Sequence, residues 1–133
     1  MTNVRNRGSA LIESIVGISI IFIPLILFAS DMAVMYQAAQ ANEEFAEQLA
    51  RLCSTLPDKT NATKACQDVI KQYQVPPNVM SLTFNDIIFD IGVQEVTITT
   101  SMVVKMPVPF PGYEHVTVSA SAKQPIVSFP APP

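Results

Sequence analysis

Residues 14 to 30 carry no charged side chain, and no other stretch constrains the chain as much. The run is aliphatic and aromatic, broken only by Gly17, Pro24 and the serines at 14, 19 and 30. An α-helix of about 20 residues crosses the ~30 Å hydrocarbon core of a bilayer. A helix packed on a water-soluble core needs only one apolar stripe, whereas this run is apolar all round. It therefore predicts a transmembrane helix within residues 9–31. Arg5 and Arg7 precede the span and Asp31 follows it, which predicts a cytoplasmic N-terminus and a C-terminus on the far side. The composition agrees: mean hydropathy is +0.32 and charged residues are 14% of the chain, against about 25% in an ordinary soluble domain.

Two familiar arrangements would use such a run. A cleaved secretory signal needs a small-residue site soon after it, and Ala39-Gln40-Ala41 has that form, some ten residues downstream and inside a helical pattern. An uncleaved single-span anchor needs nothing more. Neither accounts well for Glu13, a carboxylate at the edge of hydrocarbon, where an unpaired charge is costly. The leader Met-Thr-Asn-Val-Arg-Asn-Arg-Gly offers a partner. Cleavage after Gly8 frees the amine of Ser9 and makes Glu13 the fifth residue, so a neighbour's N-terminal ammonium can pair with it. The bland alternative puts Glu13 at headgroup level with no role.

Arg7-Gly8-Ser9-Ala10-Leu11-Ile12-Glu13 followed by an apolar helix resembles the class III signal of type IV pilin-like proteins. The resemblance implies a prepilin peptidase as a partner, cutting between Gly8 and Ser9, and an apolar helix that is kept for assembly. Within that superfamily the chain is most similar to TadE-like subunits of the Tad (Flp) pilus. The strand-like Val96–Ser101 and Val116–Ala122 segments carry that likeness, although Ser14 stands where many relatives have an aromatic residue. It implies a minor pilin or pseudopilin that takes part in pilus assembly and adhesion. Its partners would be other pilin-like subunits, the inner-membrane assembly platform and membrane lipid. Its place would be the bacterial inner membrane, single pass, with the C-terminus periplasmic, or an extracellular pilus. Pro24 then becomes either a tolerated kink or a point where the helix loosens as the subunit leaves the bilayer. Two rivals stand beside this reading: a pseudopilin of a type II-like secretion machine, and an anchored periplasmic binding module that never assembles.

Beyond the span, Met35, Ala38, Ala39, Asn42, Phe45, Ala46, Leu49 and Leu52 recur at helical spacing. One helix is thus expected from about Ser9 to about Leu56, ~70 Å long at 1.5 Å per residue, with an amphipathic second half. A short helix over Asn61–Tyr73, capped by Thr60 or Asn61, should follow. Three alternating segments then predict an antiparallel sheet packed on the long helix, an α+β fold. Their apolar faces are Leu82, Phe84 and Ile88; Val96, Ile98, Met102 and Val104; and Val116, Val118, Ala120 and Ala122. The organisation is a leader over 1–8, a transmembrane and assembly helix over 9–31, and an extracytoplasmic head over 32–133 continuous with it.

Cys53 and Cys66 are the only cysteines. They form no metal pattern, and in an oxidising compartment they are expected to form a disulfide clipping the two helices together; two unlinked buried thiols are the alternative. His115 is the only histidine and has no acid or nucleophile set around it, so no catalytic role, metal or cofactor is expected. A net charge of -3 with scattered basic residues argues against nucleic acid. The segment Pro107-Val108-Pro109-Phe110-Pro111-Gly112 should connect the last two strands without a regular ladder. With Phe110 and Tyr113 it is the candidate contact loop, or else it folds back on its own sheet.

Overall fold

One α-helix, α1, spans Val4–Ser54 without interruption. Its 51 residues make it ~76 Å long at 1.5 Å per residue. The computed structural model describes residues 4–56, 58–110 and 112–127; the side chains of residues 4–7 and 110 lie outside that description. The helix starts before the expected Ser9, because nothing between Val4 and Ser9 breaks it except Gly8, which a helix tolerates. It stops at Ser54, two residues early. There Thr55 and Leu56 donate their N–H groups to Leu52 and Cys53, tightening the last turn. The Ser54 and Thr55 hydroxyls donate to the carbonyls of Arg51 and Leu52.

A second helix, α2, covers Lys59–Gln72. Its N-cap is Asp58, not Thr60 or Asn61. One Asp58 carboxylate oxygen accepts the Asn61 N–H at 2.7 Å and the other accepts the Asn61 side-chain amide at 2.9 Å. A carboxylate satisfies the free N–H groups at a helix start better than a hydroxyl, which moves the start forward.

Strands β1 (Val79–Asp90), β2 (Glu95–Phe110) and β3 (Tyr113–Pro125) form an antiparallel sheet in the order β1-β2-β3. On β2, Val96, Ile98, Met102 and Val104 are buried together with Thr100; Ala120 and Ala122 of β3 are buried beside them. Strand β1 departs from the expected alternation. Leu82 and Phe84 face the core, but Ile88 is 53% exposed and Ile87 is buried at 1%. The pairing slips between Phe84 and Asp86, and the extra residue, Asn85, reverses which side chains point inward.

The sheet packs on the second half of α1. Phe45, Ala46, Leu49, Ala50 and Cys53 meet Ile87, Val96, Ile98 and Met102, with Ala62 and Cys66 of α2 closing the end. Leu52, expected in the helix stripe, is only half-buried, and Ala50 and Cys53 take the inner face. Phe45 packs against Tyr73 with the rings tilted by 50° and their centroids 4.4 Å apart. The chain is thus an α+β protein in which one helix both projects from the head and forms its core.

Candidate functional site

Among the described residues, the first half of α1 stands clear of the head. Ile20 and Ile21 are 67% and 68% exposed, and Leu11, Phe22, Leu25, Ile26 and Phe28 are also open. The helix is long and apolar enough to cross a membrane, with none of its most apolar window buried. An exposed apolar surface of this extent marks a contact with membrane or protein.

Gly8, Ser9 and Glu13 lie on successive exposed turns at the start of this segment. A Cβ added at Gly8 would meet nothing within 4 Å, and the same holds at Gly17. No packing within the chain therefore demands glycine at either place, although glycine weakens a helix by about 1 kcal/mol relative to alanine. Glu13 has no hydrogen bond or ion pair among the described residues. The Arg5 and Arg7 side chains lie outside them. Pro24 sits within the helix, exposed, and its ring nitrogen leaves the Ile20 carbonyl without the usual donor.

Asp31 ends the exposed segment: it is only 5% exposed, and its carboxylate accepts the backbone N–H of Val108 at 3.1 Å. This bond brings the tip of the β2–β3 hairpin back onto α1 where the apolar run stops. Strand β2 continues further than expected, to Phe110. As anticipated for the proline-rich stretch, the regular ladder lapses there, and between Lys105↔His115 and Phe110↔Tyr113 no residue pairs. Gly112 makes the turn at φ 88°, where a side chain would be strained. Between hairpin and helix lies an apolar groove of about 380 Å³, walled by Phe28, Met32, Met35, Met106, Val108 and Tyr113. Tyr113 is 71% exposed; the Phe110 side chain is outside the described residues.

Eleven residues along α1, Asn42 is fully buried against the centre of the sheet. Its amide donates to the Val118 and Thr100 carbonyls at 2.9 and 3.4 Å, and its oxygen accepts the Thr100 hydroxyl at 2.8 Å. Asp31 and Asn42 are thus two polar pins holding the sheet to one helix. Sequence reasoning took Asp31 only as the charge bounding the span and Asn42 only as a member of the stripe. The available signal was an amide on an otherwise apolar helix face, since a buried polar side chain must find partners.

Cys53 and Cys66 are both fully buried, and their sulfurs approach to 2.8 Å. They are free thiols, so the expected disulfide is not formed. Folding supplies the proximity, but the bond also requires an oxidant to take two electrons. The hydrogen bond to Cys66, reinforced by burial, pushes the Cys53 thiol far up. The same hydrogen bond, opposed by burial, draws Cys66 down. The two thiols therefore titrate as a pair, and once one proton has left, the remaining one is held between the sulfurs.

His115 is exposed on β3, and among the described residues no group of three His, Cys, Asp or Glu side chains could hold a metal ion. Ala39-Gln40-Ala41, the candidate secretory cleavage site, lies within α1, and Ala38 beside it packs into the head. No family model matches this chain, and no curated protein or solved structure is significantly similar to it.

Proposed function

We propose that this protein is a pilin-like structural subunit, a TadE-like minor pilin or pseudopilin that is processed after Gly8 and assembles with related subunits. The observation that carries this reading is the division of α1. One unbroken helix exposes an all-round apolar half and commits its other half to the core of the head. A disposable signal need not be continuous with the core helix. A mere anchor needs neither an unpacked Gly8 nor a carboxylate at its cytoplasmic end.

In this reading the helix holds the subunit in the inner membrane with the head in the periplasm, and then packs among the helices of a fibre or its initiating tip. Glu13 pairs with the Ser9 ammonium of a neighbour. No catalytic chemistry is assigned to the chain. The periplasm is oxidising, so Cys53 and Cys66 become a disulfide there, the two electrons passing to a disulfide oxidant and the two protons to solvent.

The test is intact mass with N-terminal sequencing of protein from membranes of a host with its own prepilin peptidase. A mature chain starting at Ser9 is expected, and Gly8→Leu should accumulate the precursor. An intact leader in the wild type would replace the pilin reading with the plain anchor. A start at Asn42 would make the apolar run a secretory signal.

A further inference from the structure

We infer that the tip of the β2–β3 hairpin is a second membrane contact, seated in the outer-leaflet interface of the bilayer that α1 crosses, with lipid in the groove between them. This rests on the reading of α1 as a membrane span. The chain from Met106 to Tyr113 has no charged residue, and is bounded by Lys105 on one side and Glu114 on the other. The groove it makes with α1 is walled by methionines, valines and aromatic rings, with Asp31 as its one charged lining residue, and it opens beside Phe28 and Met32. Its apolar wall is therefore continuous with the exposed face of the span.

The backbone chemistry points to the same occupant. An N–H group without a partner is expensive in hydrocarbon. Pro107, Pro109 and Pro111 have no N–H at all. The intervening N–H of Val108 is taken by the Asp31 carboxylate. Phe110 is paired with Tyr113 across the turn. The ladder lapses here, as the prolines require, yet three of the five positions from 107 to 111 have no N–H and that of Val108 is engaged. A loop facing water has no need of that economy. Tyr113, 71% exposed at the mouth of the groove, has the ring and hydroxyl suited to the headgroup boundary. The bond from Val108 to Asp31 sets the depth, because Asp31 marks the end of the apolar run. The head would then stand on the membrane at two points and could not swivel freely about α1.

The chain contains no tryptophan, so single substitutions report without background. Full-length Tyr113→Trp, Phe22→Trp and Ile91→Trp are reconstituted in phosphatidylethanolamine–phosphatidylglycerol vesicles. Each is then read with lipids brominated near the headgroup or near the acyl terminus. Phe22 lies mid-span. Ile91 is 73% exposed in the β1–β2 turn, at the other end of β2. The expected result is that Tyr113→Trp loses most of its emission to shallow bromines, Phe22→Trp to deep ones, and Ile91→Trp to neither. If Phe22→Trp is quenched while Tyr113→Trp behaves like Ile91→Trp, the hairpin contact is refuted and the span stands. If Phe22→Trp escapes quenching, the span reading fails and takes this inference with it. Blue-shifted but unquenched emission from Tyr113→Trp would mean that protein, such as a second copy, covers the groove, and it would overturn the lipid assignment.

Discussion

Asn42 shows what a single buried amide does when it is placed between two layers. Every polar atom of its side chain is matched to Thr100 or Val118, so the pin is satisfied in only one register of helix on sheet. Asn42→Leu keeps the volume but strands the Thr100 hydroxyl and the Val118 carbonyl. Leaving such groups unpaired should cost roughly 1–3 kcal/mol. Thermal unfolding of the detergent-solubilised chain checks this, and Thr100→Val in the same background should recover part of the loss. A melting temperature unchanged by Asn42→Leu would show that the pin does not hold the register. The stripe itself was legible, because 3.6-residue periodicity places Ala38, Phe45, Ala46 and Leu49 inward whatever they touch. The partners of Asn42 were not legible, since they lie 58 and 76 positions away on two other elements.

At the scale of elements, periodicity served where one element kept one phase. The β2 face and the second half of α1 were readable for that reason. Strand β1 was not, because a bulge costs one residue and leaves no signature in the alternation before it; Ile88 turned outward and Ile87 inward. The end of α1 and the start of α2 moved by two residues each, according to which hydroxyl or carboxylate reached the free backbone groups. The join between these helices is the place where oxidation should matter. With the sulfurs already 2.8 Å apart and a bond needing about 2.05 Å, closure requires little movement of either helix. If the head is periplasmic, as proposed, the protein recovered from membranes should therefore carry two fewer hydrogens than the reduced chain by intact mass. Reduction should lower its melting temperature, by an amount equivalent to about 2–3 kcal/mol for a loop of this length. A reduced chain isolated from an oxidising host under thiol-blocking conditions would show the pair to be a structural dithiol instead.

At the scale of the whole molecule, the sequence could show a helix long and apolar enough to cross a membrane but not how the head lies against it. The apolar run was legible by length and composition as a helix able to cross a membrane. The return of the hairpin to Asp31 was not, because it depends on a single long-range hydrogen bond. What remains exposed is the apolar half of α1, and Glu13 is the one charge on it between Gly8 and Asp31. A carboxylate costs roughly 2.5–3.5 kcal/mol at the centre of a membrane helix on insertion scales, and less near its end. Glu13→Ala removes that cost, so insertion and cleavage after Gly8 should proceed unchanged. On the proposed reading, the same substitution in a bundle of such helices removes the counter-ion of a neighbour's Ser9 ammonium and leaves a buried cation unpaired. Glu13→Gln keeps the shape and loses the charge, so it should fail in the same way. Both variants should therefore accumulate as mature monomers in the inner membrane and be depleted from sheared surface fibres. Fibre incorporation equal to wild type in both would rule out the charge pair, and incorporation retained by Gln but not by Ala would assign Glu13 a hydrogen-bonding role in its place.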